Sequence, residues 1–166
     1  MALTGCESST GGSAAPVTPS MAPDVPVGFD PCTDVPQSVL DSEGLRNKIP
    51  DDTESSSGVM WRGCLWGQPD GYSASIQTTN LTLDMVRDKN FSDATEFTVG
   101  PRKAISTRQL EEHSEESCFV NIEMNGGSLE FGLTNPSSGD KTGHLDTCEL
   151  ARGLAEKVAP SIPAGS

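Results

Sequence analysis

Basic residues are scarce. The 166-residue chain carries 11 Lys and Arg against 24 Asp and Glu, a formal net charge of -13. Nucleic acid is therefore not an expected partner, because binding it needs Lys and Arg to release counterions from phosphate. An anionic membrane surface is disfavoured for the same reason. Long apolar runs are missing too, and none approaches the ~18 residues of a membrane-spanning helix. Aromatic residues make up only 5% and hydrophobic residues 34%. A core of modest size follows, provided part of the chain stays outside it. The length fits one domain.

Signatures of chemistry are equally thin. No serine stands in Gly-x-Ser-x-Gly, and Asn125-Gly126-Gly127 is not followed by the Lys-Ser/Thr of a phosphate loop. Asp51, Asp52 and Glu54 lack the alternating ligands and terminal Glu of a calcium loop, so they read as a solvated acidic loop. His113 lies among Glu111, Glu112, Glu115 and Glu116, and His144 follows Gly143. Both read as solvated loop histidines, since a hydrolytic set needs a base positioned by an acid beside a nucleophile. No two cysteines lie within three residues of each other, which excludes CxxC redox and zinc patterns. No cofactor and no metal is expected.

The amino terminus carries more information. Leu3-Thr4-Gly5-Cys6 resembles a bacterial lipobox, in which small residues let the processing enzymes reach the thiol that receives lipid. The basic and apolar regions of such a signal do not stand ahead of it, so a longer precursor is expected. Residues 1–6 are then a signal remnant, with Cys6 the lipid attachment site. From Glu7 to Gly28, 13 of 22 residues are Ser, Thr, Gly or Pro, and none is Leu, Ile or aromatic. Such a segment cannot offset its ordering entropy by burial and reads as a disordered tether with a reach of about 25 Å.

With Cys6 set aside, Cys32, Cys64, Cys118 and Cys148 remain. Four cysteines in an exported domain imply two disulfides with three connectivities. Cys64 and Cys118 fall in strand-like segments, whereas Cys32 and Cys148 sit at the starts of helices. That placement favours Cys64–Cys118 with Cys32–Cys148.

The folded region spans 29–163. Asp34, Pro36 and Gln37 open a first helix that Gly44 ends. Residues 47–58 read as a loop. Val59–Trp66 and Tyr72–Gln77 read as strands, and Leu81, Met85 and Val86 as a short helix. Phe97, Val99, Ala104 and Ile105 mark further extended chain. Cys118, Val120, Ile122 and Met124 alternate, turn at Asn125-Gly126-Gly127, and return through Leu129, Phe131 and Leu133, a strong hairpin pattern. Asp146 and Glu149 cap a last helix with an apolar stripe at Leu150, Ala151, Leu154, Ala155 and Val158. The sum is an α+β domain, an antiparallel sheet of about five strands packed against N- and C-terminal helices. Trp61 and Trp66 have odd spacing and face opposite sides of one strand. One is expected in the core, and the other is a candidate for a binding surface. Asn80-Leu81-Thr82 and Asn90-Phe91-Ser92 match glycosylation sequons and are read as chance.

Phe29-Asp30-Pro31-Cys32, Cys64-Leu65-Trp66 and Asp146-Thr147-Cys148 together resemble the actinobacterial lipoproteins grouped as a domain of unknown function. The acidic segment around His113 is longer than that pattern suggests. The resemblance covers 29–163 and implies an exported, lipid-anchored envelope protein, with a fold similar to the Mog1/PsbP-like α/β/α sandwich. It implies no reaction. The first functional reading is a non-catalytic module that binds an envelope protein or a cell-wall component. It touches the membrane only through lipid on Cys6. The others are a carrier of a small apolar or lipid ligand and an enzyme with an atypical site. Acidity predicts a neutral or cationic partner in place of an anionic polymer.

Overall fold

The computed structural model describes Gly12 and residues 20–166. Cys6 and most of the Ser/Pro-rich segment lie outside the described residues. Two short helices come first, α1 (Pro31–Asp34) and α2 (Gln37–Glu43). Eight strands follow: β1 (Arg46–Pro50), β2 (Thr53–Glu54), β3 (Met60–Gly67), β4 (Ser73–Thr79), β5 (Ser92–Val99), β6 (Arg102–Arg108), β7 (Ser117–Met124) and β8 (Gly127–Thr134). Helix α3 (Leu83–Asp88) intervenes between β4 and β5, and α4 (Thr147–Val158) closes the domain. The strands form one sheet in the order β1-β3-β4-β8-β7-β6-β5, with β2 also paired to β3, and every pairing is antiparallel.

The sheet has eight strands where alternation predicts about five. The excess comes from β1 and β2, which periodicity does not mark, and from the extended chain through Phe97, Val99, Ala104 and Ile105, which is two strands, β5 and β6. β1 and β2 are exposed along their whole length, and β5 is exposed at all but its last residues. With neither face buried, β1 and β2 carry no alternating apolar signal, and β5 shows one only at Phe97 and Val99 near its end. β1 and β2 are in effect one edge strand interrupted at Asp51–Asp52, inside the segment expected to be a loop. There the Asp51 N–H donates to the Gly63 carbonyl (2.9 Å), and the Gly63 N–H donates to Asp52 Oδ1 (3.0 Å). Gly63 is required by its close approach to β4, because a Cβ on it would fall 2.1 Å from the Ile76 carbonyl oxygen.

The first helix divides in two. Asp30, not Asp34, caps α1: its Oδ1 accepts from Cys32 N–H (2.9 Å), while Asp34 Oδ2 accepts from Asp30 N–H (2.7 Å). Pro36 then begins α2, which Gly44 ends in the left-handed region (φ 65°). The last helix forms where its pattern predicts, with Asp146 Oδ1 accepting from Glu149 N–H (3.0 Å).

One face of the sheet carries the main core. Cross-strand rows Cys64–Ile76–Phe131–Val120 and Trp66–Ala74–Leu133–Cys118 lie under α1, α2 and α4. Ala151, Leu154, Ala155 and Val158 of α4 are buried against them. Both disulfides run vertically from this face, Cys32–Cys64 joining α1 to β3 and Cys118–Cys148 joining β7 to α4. The expected Cys64–Cys118 and Cys32–Cys148 pairing is therefore wrong. β3 and β7 stand three strand steps apart, roughly 14 Å, and a disulfide spans at most about 7 Å between Cα atoms. Each strand cysteine meets the helix above it.

The second face carries a smaller cluster: Leu81, Leu83 and Val86, on and beside α3, packed with Val59 and Ile105. Met21 joins it, and Asn80 Nδ2 donates to the Ala22 carbonyl (2.9 Å). Pro26 is also buried. Residues 21, 22 and 26 fall in the span expected to be tether, yet they lie against the domain.

Candidate functional site

Trp66 and Trp61 divide as their spacing predicts. Trp66 is 2% exposed in the main core. Trp61 is half-buried on the second face, where its indole Nε1 donates to Glu130 Oε1 (3.1 Å). Glu130 pairs with Asn121 across β7–β8 and with Gln77 across β4–β8, so the three side chains share this face. Asn121 Nδ2 donates to Glu130 Oε2 (3.0 Å) and to Ser128 Oγ (3.0 Å), and Ser128 Oγ donates onward to the Leu81 carbonyl (2.7 Å). Glu130 is 6% exposed and Asn121 fully buried. Asn121 Oδ1 is buried with no hydrogen-bond partner.

The electrostatics follow from that burial. Desolvation pushes the Glu130 carboxyl above its ordinary 4.5, outweighing the opposing donors Asn121 and Trp61 and the charge of Lys89. Lys89 sits exposed beyond α3 and makes no ion pair with Glu130. At the strand edge Ser75 Oγ donates to Asp51 Oδ2, and Gln77 Nε2 donates to the Asp51 carbonyl.

Helix α3 covers only part of the second face. The next row along it runs Ile49–Leu65–Ser75–Gly132–Phe119. Leu65, Ser75 and Phe119 are half-buried there, and Ile49 is 56% exposed. Phe119 lies over Gly132, where a Cβ would come within 3.0 Å of its ring. Here a polar row around a buried carboxylate meets an open apolar row with Trp61 at its flank. Sequence patterning does not single out Glu130, which reads as an outward-facing residue between Leu129 and Phe131. The signal that could find it is the apolar set Leu81, Met85, Val86 and Phe91, which needs a second face to cover.

One cleft, about 680 Å³, lies elsewhere, between residues 25–34 and Asp52, Arg62 and Thr78. Several of its charged groups are engaged by the fold. Arg62 donates to the Thr53 and Trp61 carbonyls and pairs with Glu54 at 3.3 Å, and Asp52 holds Gly63.

The remaining expected residues are not brought together. His113 and His144 are exposed, and His113 is in the left-handed region (φ 51°). Glu116 beside it accepts from Ser137 N–H (2.8 Å), which holds its carboxyl below the ordinary range. Among the described residues no three His, Cys, Asp or Glu side chains gather as a metal site. Asn80 is fully buried, accepts from Met60 N–H (2.9 Å) and donates to the Gly58 carbonyl (3.0 Å), so its sequon is closed in the fold. Asn90 is exposed. No helix among the described residues is long and apolar enough to cross a membrane.

Neither the curated proteins nor the solved structures contain a match to the chain. A family model does match, over residues 1–161, and the chain belongs to the family described as protein of unknown function (DUF3558).

Proposed function

We propose that this is an exported envelope lipoprotein, anchored through Cys6, that binds an envelope protein or cell-wall component without chemistry. The observation that carries the binding role is the open half of the second sheet face. Trp61, Leu65, Phe119 and Ile49 stay accessible there beside the buried Glu130–Asn121 pair. A partly exposed apolar row with an aromatic side chain beside it and polar groups around it has the composition of a docking surface. Two disulfides suit an oxidising compartment, and Leu3-Thr4-Gly5-Cys6 suits lipid attachment there. Helices on one face and α3 on the other are consistent with a Mog1/PsbP-like α/β/α layering.

The carrier reading needs a cavity between sheet and helices. That space is occupied by Trp66, Phe131, Leu133 and Leu154, all buried, which favours the docking reading.

Two experiments test the proposal in the native host with the full precursor. Radiolabelled palmitate should label the wild type and not Cys6→Ser. A photo-reactive phenylalanine analogue in place of Leu65 should give a discrete adduct, whereas the same analogue in place of exposed Asp41 on α2 should not. Equal adducts from both positions, or none from Leu65, would overturn the docking face.

A further inference from the structure

The hydrogen-bonding inventory of the second face is lopsided. A carboxylate offers about four acceptor sites, and Glu130 has two donors, Trp61 Nε1 and Asn121 Nδ2. Asn121 spends both amide hydrogens on Glu130 and Ser128, and its Oδ1 accepts nothing. Ser128 gives its hydrogen to the Leu81 carbonyl. Gln77 and Ser75 donate toward Asp51. Of these donors one Gln77 amide hydrogen is left over, while Glu130 and Asn121 Oδ1 keep unfilled acceptor sites, so the balance is toward acceptor capacity and negative charge. Burial makes that surplus costly, because an unpaired buried acceptor loses its hydration without replacement.

The flanks have complementary character. Leu65 and Phe119 are half-buried, Ile49 is largely exposed, and Trp61 presents an aromatic surface at the other side. An occupant of this place needs several donors in a compact, cationic head on a slender apolar stem. Arginine has that form. Its planar fork matches a carboxylate in two-point contact, it stacks on aromatic rings, and its methylene stem covers apolar surface. A chain of net charge -13 also steers a basic partner toward itself. A second copy of this chain is disfavoured by the same charge. Lys89, exposed beyond α3, acts on Glu130 only through its charge and makes no hydrogen bond or ion pair with it, so it fills none of those acceptor sites.

We propose that the open half of the second sheet face receives an arginine side chain of a basic segment in a protein partner. The guanidinium is set against Glu130, and its stem lies between Trp61 and the Leu65–Phe119 row. This proposal rests on the docking face argued above and names what that face recognises.

The test uses the wild-type folded protein and three small probes of matched shape: n-butylguanidinium, N-butylurea and butan-1-ol. The readouts are the Trp61 indole N–H and Asn121 side-chain amide resonances, titrated at constant ionic strength. Butylguanidinium should give saturable shifts of both, binding roughly tenfold or more tighter than butylurea. In Glu130→Gln the preference for butylguanidinium over butylurea should vanish. Equal shifts from all three probes would overturn the arginine reading and leave the apolar docking face standing. No movement of either resonance with butylguanidinium would also overturn it. The Leu65 photo-adduct then decides the docking face independently.

Discussion

Replacing Cys118 and Cys148 together by alanine removes one staple without leaving a buried lone thiol. The loop it closes spans 30 residues in sequence. In the chain-entropy treatment, closing a loop of about that length stabilises the native state by about 3.7 kcal/mol. For a domain of this size each kcal/mol moves the melting temperature by about 3 °C, so the variant should melt about 11 °C lower. The Cys32–Cys64 loop is nearly the same length, 32 residues, and its double-alanine variant should lose about as much. The two loops do not overlap in sequence, so the losses should add. Their sum, about 7 kcal/mol, is comparable to the whole stability of an ordinary domain. The fully reduced protein should therefore be largely unfolded at body temperature. Scanning calorimetry of the oxidised variants, with a non-reducing peptide map to verify the surviving bridge, measures this directly. Melting within about 3 °C of the wild type would refute the loop-entropy reasoning.

Glu130→Gln leaves an amide that can accept from only one of Trp61 and Asn121, a cost of about 1–3 kcal/mol. Its pH dependence has a definite sign. The folded carboxyl titrates above the ordinary 4.5, so its contribution is complete below that value and is lost as pH rises through the folded value. The melting-temperature gap between wild type and variant should narrow from acid to neutral pH, and a gap that widens would contradict the burial argument. Trp66→Ala should cost about 3–5 kcal/mol as a core cavity, whereas Trp61→Phe should cost about 1–3 kcal/mol from the lost donor to Glu130; equal losses by urea denaturation of the Ala and Phe variants would count against the two-face assignment. Tyr72 is buried and donates to Glu43 Oε2 (2.6 Å), while Lys157 pairs with the same carboxylate, tying α2 to α4. Burial alone would raise the Glu43 pKa, but hydrogen bonds from Lys157 and Tyr72 outweigh it and hold the group below 4.5. The stability this contributes is present above 4.5 and is lost as pH falls through the folded value, so acid titration should destabilise the wild type more than Glu43→Gln.

How much of this was legible depended on burial. The strands β3, β4, β7 and β8 bury one face and read as alternation, and α4 reads as a capped helical stripe. The exposed edge strands β1 and β2 left no such mark, and β5 left only Phe97 and Val99. The disulfide pairing depended on the β7–β8 hairpin lying beside β4, which sets β3 far from β7. No local pattern encodes that long-range order. Trp61 was legible as a candidate because its spacing from Trp66 puts it on the other face. Glu130 was not, because the strand pattern marks its face as solvated, and the Trp61 and Asn121 side chains that hydrogen-bond it there come from other strands, β3 and β7.

Hydroxyl-radical footprinting tests the docking face most directly, comparing the purified oxidised domain with the same protein in intact cells of its host. Trp61, Leu65 and Phe119 should be protected in cells, while Leu110 and Leu145, exposed elsewhere on the surface, should label equally in both. Equal labelling of Trp61, Leu65 and Phe119 in the two samples would contradict the proposed role of this face.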